Sequence, residues 1–598
     1  MRRTRSVAAV AVTMSAALVL SACGGGGGDS DNNGGGGGGL NDSSATGGKG
    51  NNGDGTYNVP EVEQGGTVTV THDAAYTSYN NGARSANNFN NTLVLNTMIS
   101  EPFVVTDTME ILLNADVMES AEVTSEDPQI VEWKIREGVT WSDGEPWDCS
   151  DFYLSWFSKS RLATTEDGGE LFAPASTTGY DIMTGSCEDD RTFVGEFSET
   201  YADWTGLFGS KAILPSHILE QETGIEDVLE LSADSPQEEL DAAAEFWNEG
   251  WNGFNPDLMP SSGPYMFDSW QQGTSVTVVR NPEWIGNPGG PDSITLQNIA
   301  DANAQVTALQ DQQVHVIAPQ ANSETAEQLQ ALTSQGVTYE AKAGLTFEHL
   351  DINLAREKFQ DLALRQAFAA CVDREELVDK LLKSVDPEAA PLGSLLFLPE
   401  EPGYEDLYSD ITGQGADAAK EILEEGGWTQ GEDGVYEKDG ERASLTISHT
   451  ALDRRTDSVA LIQGTCAEAG IEVINDTDDN FLDTRVSEGD YDVALFAWVG
   501  TPYKASKASL YSIGGGQNWS GWENQEATDQ FETVKNSLDE DERNAALSAA
   551  DKAYAEDVLS IPLFQVPDAW AYAENVDHVT YQGSDGVTWN AAEWEVTS

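Results

Sequence analysis

The chain has 598 residues, with 103 Asp and Glu against 30 Lys and Arg, giving a formal net charge of −73. A molecule so negative is repelled by nucleic acid and by anionic lipid headgroups, which excludes both as electrostatic partners. Its length exceeds what one hydrophobic core supports, so at least two domains or lobes are expected.

The N-terminus reads as an address. Arg2, Arg3 and Arg5 form a basic segment, and Val7 to Leu20 is an apolar run. At about 14 residues that run falls short of the roughly 20 a membrane span needs, so residues 1–22 read as a secretory signal. Ser21 and Ala22 before Cys23 suit a lipoprotein signal peptidase, and Cys23 then carries a diacylglycerol. Two acyl chains anchor stably where one is marginal. Residues 23–60 are mostly Gly, Asn, Asp and Ser, expected to be a disordered tether spanning about 30–35 Å. The expected location is therefore extracytoplasmic, lipid-anchored to the cell membrane. Loss of the three signal arginines takes the net charge from −73 to −76. The acids are spread along the chain rather than gathered in a tail, which fits a solvated surface and a saline or alkaline habitat.

After the glycines at 65 and 66, Thr67 to Thr71 alternates as a first strand. A turn at Thr140 to Gly144 precedes a helix over 151–159, and helical patterns follow at 225–231, 237–247, 302–312, 362–371, 374–382, 416–425, 457–469 and 543–555. Strands are expected at 275–280, 314–318, 346–354, 444–449, 471–474 and 492–498. Interleaved strands and helices imply an α/β architecture. Besides Cys23 there are four cysteines, Cys149, Cys187, Cys371 and Cys466, an even number suited to an oxidising compartment. Three pairings are possible. Cys149–Cys187 and Cys371–Cys466 are preferred because each bridge then stays within one lobe.

No metal, cofactor or catalytic motif emerges. Gly-x-Ser-x-Gly, Ser-x-x-Lys and His-Glu-x-x-His are absent, and His72, His217, His315, His349, His449 and His578 are scattered singly. Asp476 to Asn480 begins like a calcium loop, but Phe481 stands where its glycine belongs and Ser487 where its closing glutamate belongs.

Five ordered motifs carry a resemblance. They are Trp133-Lys134-Ile135-Arg136-Glu137-Gly138-Val139-Thr140-Trp141-Ser142-Asp143-Gly144; Ser262-Gly263-Pro264-Tyr265 with Arg280-Asn281-Pro282-Glu283-Trp284; Asn353 and Phe359 to Phe368 with Val372-Asp373-Arg374; Gly489-Asp490-Tyr491-Asp492 leading to Trp498; and Ile561-Pro562-Leu563-Phe564. Together they resemble family 5 of the extracellular solute-binding proteins that serve peptide and nickel ABC importers, over nearly all of 61–598. The resemblance implies a two-lobed periplasmic-binding-protein-like fold of the large peptide-binding class. Lobe I would comprise 61–340, including an extra subdomain at about 104–259; lobe II 341–564; and 565–598 would return to lobe I. It also implies no enzymatic activity, a monomer, ABC permease subunits as partners and an oligopeptide as ligand. An oligosaccharide or glycolipid receptor is the alternative that the 16 tryptophans invite. An envelope sensor lipoprotein is another.

Site residues follow from the same resemblance. In peptide-binding relatives the residue matching Trp498 lines the cleft, and an aspartate three positions on captures the peptide ammonium. Here that position is Thr501, whose hydroxyl accepts a hydrogen bond but cannot neutralise a charge. Blocked or cyclic ligands, or an amine held by another acid, are the expectation. Arg485 matches an arginine that faces the cleft, with an ion pair to Asp483 or Glu488 as its alternative. Tyr503, Asn518, Tyr76 and Tyr79 complete the expected lining.

Overall fold

The computed structural model describes residues 48–320 and 322–597. The signal, Cys23 and the first part of the tether lie outside the described residues. The tether is shorter than expected at its far end. Lys49 and Gly50 donate backbone N–H groups to Glu593, the Tyr57 hydroxyl reaches the same carboxylate at 2.7 Å, and Thr56–Tyr57 pairs with Leu113–Asn114. A buried acceptor collecting three donors fixes this segment despite its loop-like composition.

One ten-stranded sheet runs through the molecule. In chain order its strands are β1 (Thr67–His72), β2 (Tyr265–Gln271), β3 (Ser275–Arg280), β4 (Ser293–Asn298), β5 (Val316–Ile317), β6 (Val337–Ile352), β7 (Ser444–His449), β8 (Glu472–Thr477), β9 (Val493–Val499) and β10 (Ser560–Ala573). Their order across the sheet is β8-β7-β9-β6-β10-β5-β1-β4-β3-β2. The two long antiparallel strands β6 and β10 join the halves. Val337–Ala343 pairs with Pro567–Ala573 beside β5, then the register breaks, and Phe347–Asp351 pairs with Ser560–Gln565 beside β9. Gly344 sits in the break, where a Cβ would lie 2.5 Å from the Val566 carbonyl.

Each half has its own core. The first centres on Val68, Val70, Trp133, Trp247, Leu296 and Trp594 and includes a four-stranded antiparallel sheet, Met118–Glu126, Gln129–Ile135, Thr192–Phe197 and Met183–Asp189. The second centres on Leu350, Phe368, Ile447, Ile462 and Leu495. Helix α1 (Cys149–Phe157) starts at a capping box made by Asp148 and Asp151, and helices α2 (Leu362–Cys371) and α3 (Asp453–Glu468) cover the second half. Disulfides join Cys149 to Cys187 and Cys371 to Cys466. The family-like motifs are structural. Gly144 turns the chain at φ 93°, and Arg365 donates to the carbonyls of Phe359 and Asp557. The helix expected at 225–231 is a single turn, Val228–Glu230, because Asp227 caps it and Glu220 ties down the Val228 N–H at 2.7 Å.

Several buried carboxyls tie stability to pH. Burial pushes Asp116 and Asp551 up to about 6, and Asp151 and Asp568 up to about 7. A carboxyl raised in the folded state binds more protons there than when unfolded, so its contribution is complete below pH 4 and is lost as pH rises through 6 to 7. Self-repulsion of the acidic surface acts in the same direction. The expected result is a melting temperature a few degrees higher at pH 5 than at pH 8. Part of the difference should persist in 1 M salt, which screens the surface but not the buried groups. Equal melting temperatures at the two pH values would contradict it.

Candidate functional site

Between the halves lies a cavity of about 620 Å³, within the range of small-ligand sites. One wall comes from residues 81–212 and includes Asn81, Gly82, Lys159, Tyr180 and Leu207. The facing wall comes from Thr501 to Gly515, with Tyr503, Ser509 and Ile513 exposed to the space. Asp585, from the C-terminal segment, contributes to one end.

The first wall is strained. Phe208, Ser210 and Lys211 adopt φ of 62°, 57° and 59°, a left-handed region costly for residues with a Cβ. The segment is held there by surrounding bonds. The Phe208 N–H donates to the Tyr180 hydroxyl at 2.6 Å, and the Lys211 N–H donates to Glu101 at 2.5 Å. The Lys211 ammonium is buried, 2.7 Å from Glu101 and 3.5 Å from Asp585. Burial holds the Glu101 carboxyl above its ordinary range, against the pull of Lys211.

The walls also touch each other. Asp203, almost fully buried, accepts from the Arg543 guanidinium and from the Ala505 N–H at 2.8 Å. Lys535 lies 3.8 Å from Glu199. Gly206 lets the Tyr503 ring approach, since a Cβ there would lie 2.9 Å from that ring. These contacts join residues some 300 positions apart and exist only with the halves brought together.

The residues singled out from the sequence fall in different places. Thr501 and Tyr503 line the cavity. Trp498 does not. It stacks on Trp519 at 5.5 Å and lines a neighbouring void of about 40 Å³ that shares Thr501 with the large cavity. Arg485 is not among the residues lining the cavity; it pairs with Asp476 at 2.9 Å, Asp490 at 3.3 Å and Asp478 at 3.6 Å, acids beyond those anticipated. In so acidic a chain an arginine near the surface finds carboxylates before it finds ligand. Asn518 braces the loop that carries Ser512 to Gly515 into the wall, donating to the Ser512 and Trp522 carbonyls at 3.0 and 2.8 Å. Tyr76 packs edge-on against Phe267 in the core, and the Tyr79 hydroxyl donates to the Pro260 carbonyl; both are buried away from the cavity. Glu101, Lys159, Asp203, Lys211 and Asp585 escaped the sequence reading, because each acquires its meaning from partners distant in sequence.

The model of the bacterial extracellular solute-binding proteins, family 5, middle region, matches residues 113–521. The chain belongs to family 5. Members of this family bind a solute outside the cytoplasm and deliver it to an ABC transporter; they are binding proteins, not enzymes. The oligopeptide-binding protein OppA of Mycobacterium tuberculosis is 24% identical over 517 residues, 85% of this chain and 81% of that one. The periplasmic EDTA-binding protein EppA is 26% identical, with a TM-score of 0.76 over 90% of this chain and 98% of its own. The oligopeptide-binding protein AppA of Bacillus subtilis, solved with a nonapeptide, is 21% identical, with a TM-score of 0.63 over 90% and 100%. The family 5 fold is thus two α/β lobes, and among the described residues no helix is long and apolar enough to cross a membrane.

Proposed function

We propose that this chain captures oligopeptides in the cavity between its lobes and hands them to the permease of an ABC importer, held at the outer face of the membrane by a lipid on Cys23. The observation that carries the reading is a ligand-sized cavity walled by both halves, with Tyr180, Tyr201 and Tyr503 in its lining and the two halves latched beside it. Relatives named as oligopeptide-binding support the ligand class. The lobes, 61–340 with 565–598 and 341–564, would turn about the β6–β10 register break, and closure would trap the solute. An anchored tether keeps the loaded receptor at high effective concentration near its permease.

Mass spectrometry of solutes that co-purify with residues 48–598 tests the ligand class. Peptides are expected; sugars or glycolipids alone would overturn the assignment, and the EDTA-binding neighbour makes anionic chelates the other class to look for. With the recovered peptide as titrant, Tyr503→Ala should weaken binding about tenfold or more by removing a ring from the cavity wall. Trp498→Ala should change it less than about threefold, because that ring packs on Trp519 instead. Calorimetry showing the reverse order would move the site to the Trp498 void.

A further inference from the structure

Lys159 stands two residues beyond the end of α1, and its side chain forms part of the cavity wall while only 5% exposed. Its ammonium donates to the Ser155 hydroxyl at 3.1 Å and to the Ser155 carbonyl at 3.4 Å, and lies 5.1 Å from the centre of the Tyr180 ring. These are neutral partners. Among the described residues no carboxylate lies within ion-pair distance of it, in a chain carrying 103 acids. The contrast with two other lysines around the cavity is sharp: Lys211 has two carboxylates, and Lys535, from the facing half, has Glu199.

A buried ammonium without an anion is costly, and burial pushes this one down to about 7. Such a cost is tolerated where an anion arrives from outside, because a desolvated, preformed donor then forms a strong charge-assisted bond. The surroundings suit that role. Asn81, Gly82 and Ser176 line the same cavity, and Gly82 lies against the lysine: a Cβ placed there would be 3.9 Å from the Lys159 Cε.

We propose that the Lys159 ammonium is the receptor for a carboxylate of the bound solute, so that the cavity selects ligands bearing a carboxylate at the Tyr180 end. The proposal rests on the cavity being the solute site. It would orient the solute by a carboxylate rather than by an ammonium, from the wall opposite Thr501. In a peptide the carboxylate comes either from the C-terminus or from an Asp or Glu side chain.

The test uses three random pentapeptide pools: free C-termini without Asp or Glu, C-terminal amides without Asp or Glu, and C-terminal amides with both acids present. Retention on residues 48–598 is read by mass spectrometry. The wild type should retain the free-carboxylate pool at least tenfold more than the acid-free amides, and Lys159→Met should abolish the difference. Retention of the acid-containing amides over the acid-free ones, lost in the same variant, would assign the carboxylate to a side chain. Lys159→Gln carries the test if the methionine variant does not fold. Equal retention of all pools by the wild type, or discrimination that survives both substitutions, would overturn the role of Lys159 and leave the peptide reading standing. If no pool is retained, citrate and ferric EDTA are titrated calorimetrically. Lys159-dependent binding of either would sustain the anion site and overturn the peptide reading, and its absence would overturn both.

Discussion

Replacing Glu348 with alanine lowers the unfolding free energy by about 3–5 kcal/mol, the usual cost of stranding a buried charge. Glu348 is fully buried in the second half of β6, with its Oε1 accepting from Arg454 at 2.9 Å and from Arg455 at 3.1 Å, both in the first turn of α3. The two arginines differ. The Arg454 side chain is 31% exposed and can swing into water, whereas that of Arg455 is 7% exposed and cannot. The loss therefore comes from Arg455, left desolvated against the positive end of its own helix. Arg454→Ala should cost less than about 1 kcal/mol. The double change Glu348→Leu with Arg455→Met should recover most of the loss, since apolar side chains of similar volume avoid both desolvation costs. Urea denaturation followed by circular dichroism reads all four proteins. A loss below about 1 kcal/mol in Glu348→Ala would mean that Arg455 finds another anion.

Glu348 also marks where sequence reading stops. The segments read correctly from sequence were those whose burial is written in their own periodicity. α2 spaces Leu364, Ala367 and Phe368 onto one buried face, and β3 alternates Val276 and Val278 inward. The first part of β6, Val337 to Lys342, is uniformly half-buried and mixes Thr, Glu and Lys, so it shows no period; the strand was expected only from about 346. Its reality depends on β10, more than 200 residues away. The same applies to the tether, where Gly50 and Tyr57 are ordered by Glu593 from the far end of the chain.

The site was less legible than the fold for a related reason. Motif matching pointed to Thr501 and Tyr503, which line the cavity, because they follow a strand with a recognisable sequence, and it pointed equally to Arg485, which pairs with local acids. The opposite wall has no motif. Its strained segment, Phe208 to Lys211, reads as an ordinary loop until Glu101 and Tyr180 are seen to hold it. Charge bookkeeping along the sequence could not separate Lys159, which has no anion among the described residues, from Lys211, which has two.

Asp203 is where these distant partners bear on function. It is buried, and its two partners, Arg543 and the Ala505 N–H, both belong to the facing half. Burial raises the Asp203 carboxyl, and the Arg543 charge opposes the rise, so the contact is a charge-assisted bond made at the cost of desolvation. Bonds of this kind contribute about 1.5–3 kcal/mol. If the latch exists only in the closed form, Asp203→Ala shifts the open–closed balance by that amount, and apparent affinity falls with the closed fraction, about 10- to 100-fold. The unliganded variant should also show a larger radius of gyration by small-angle scattering than the unliganded wild type. Asp203→Ala combined with Arg543→Ala should lose less affinity than the first change alone, because no charge is left unpaired under the cover. Unchanged affinity in Asp203→Ala would show that closure is driven by the solute and not by the latch. An equal loss for the single and double variants would show that Arg543 contributes nothing once Asp203 is gone.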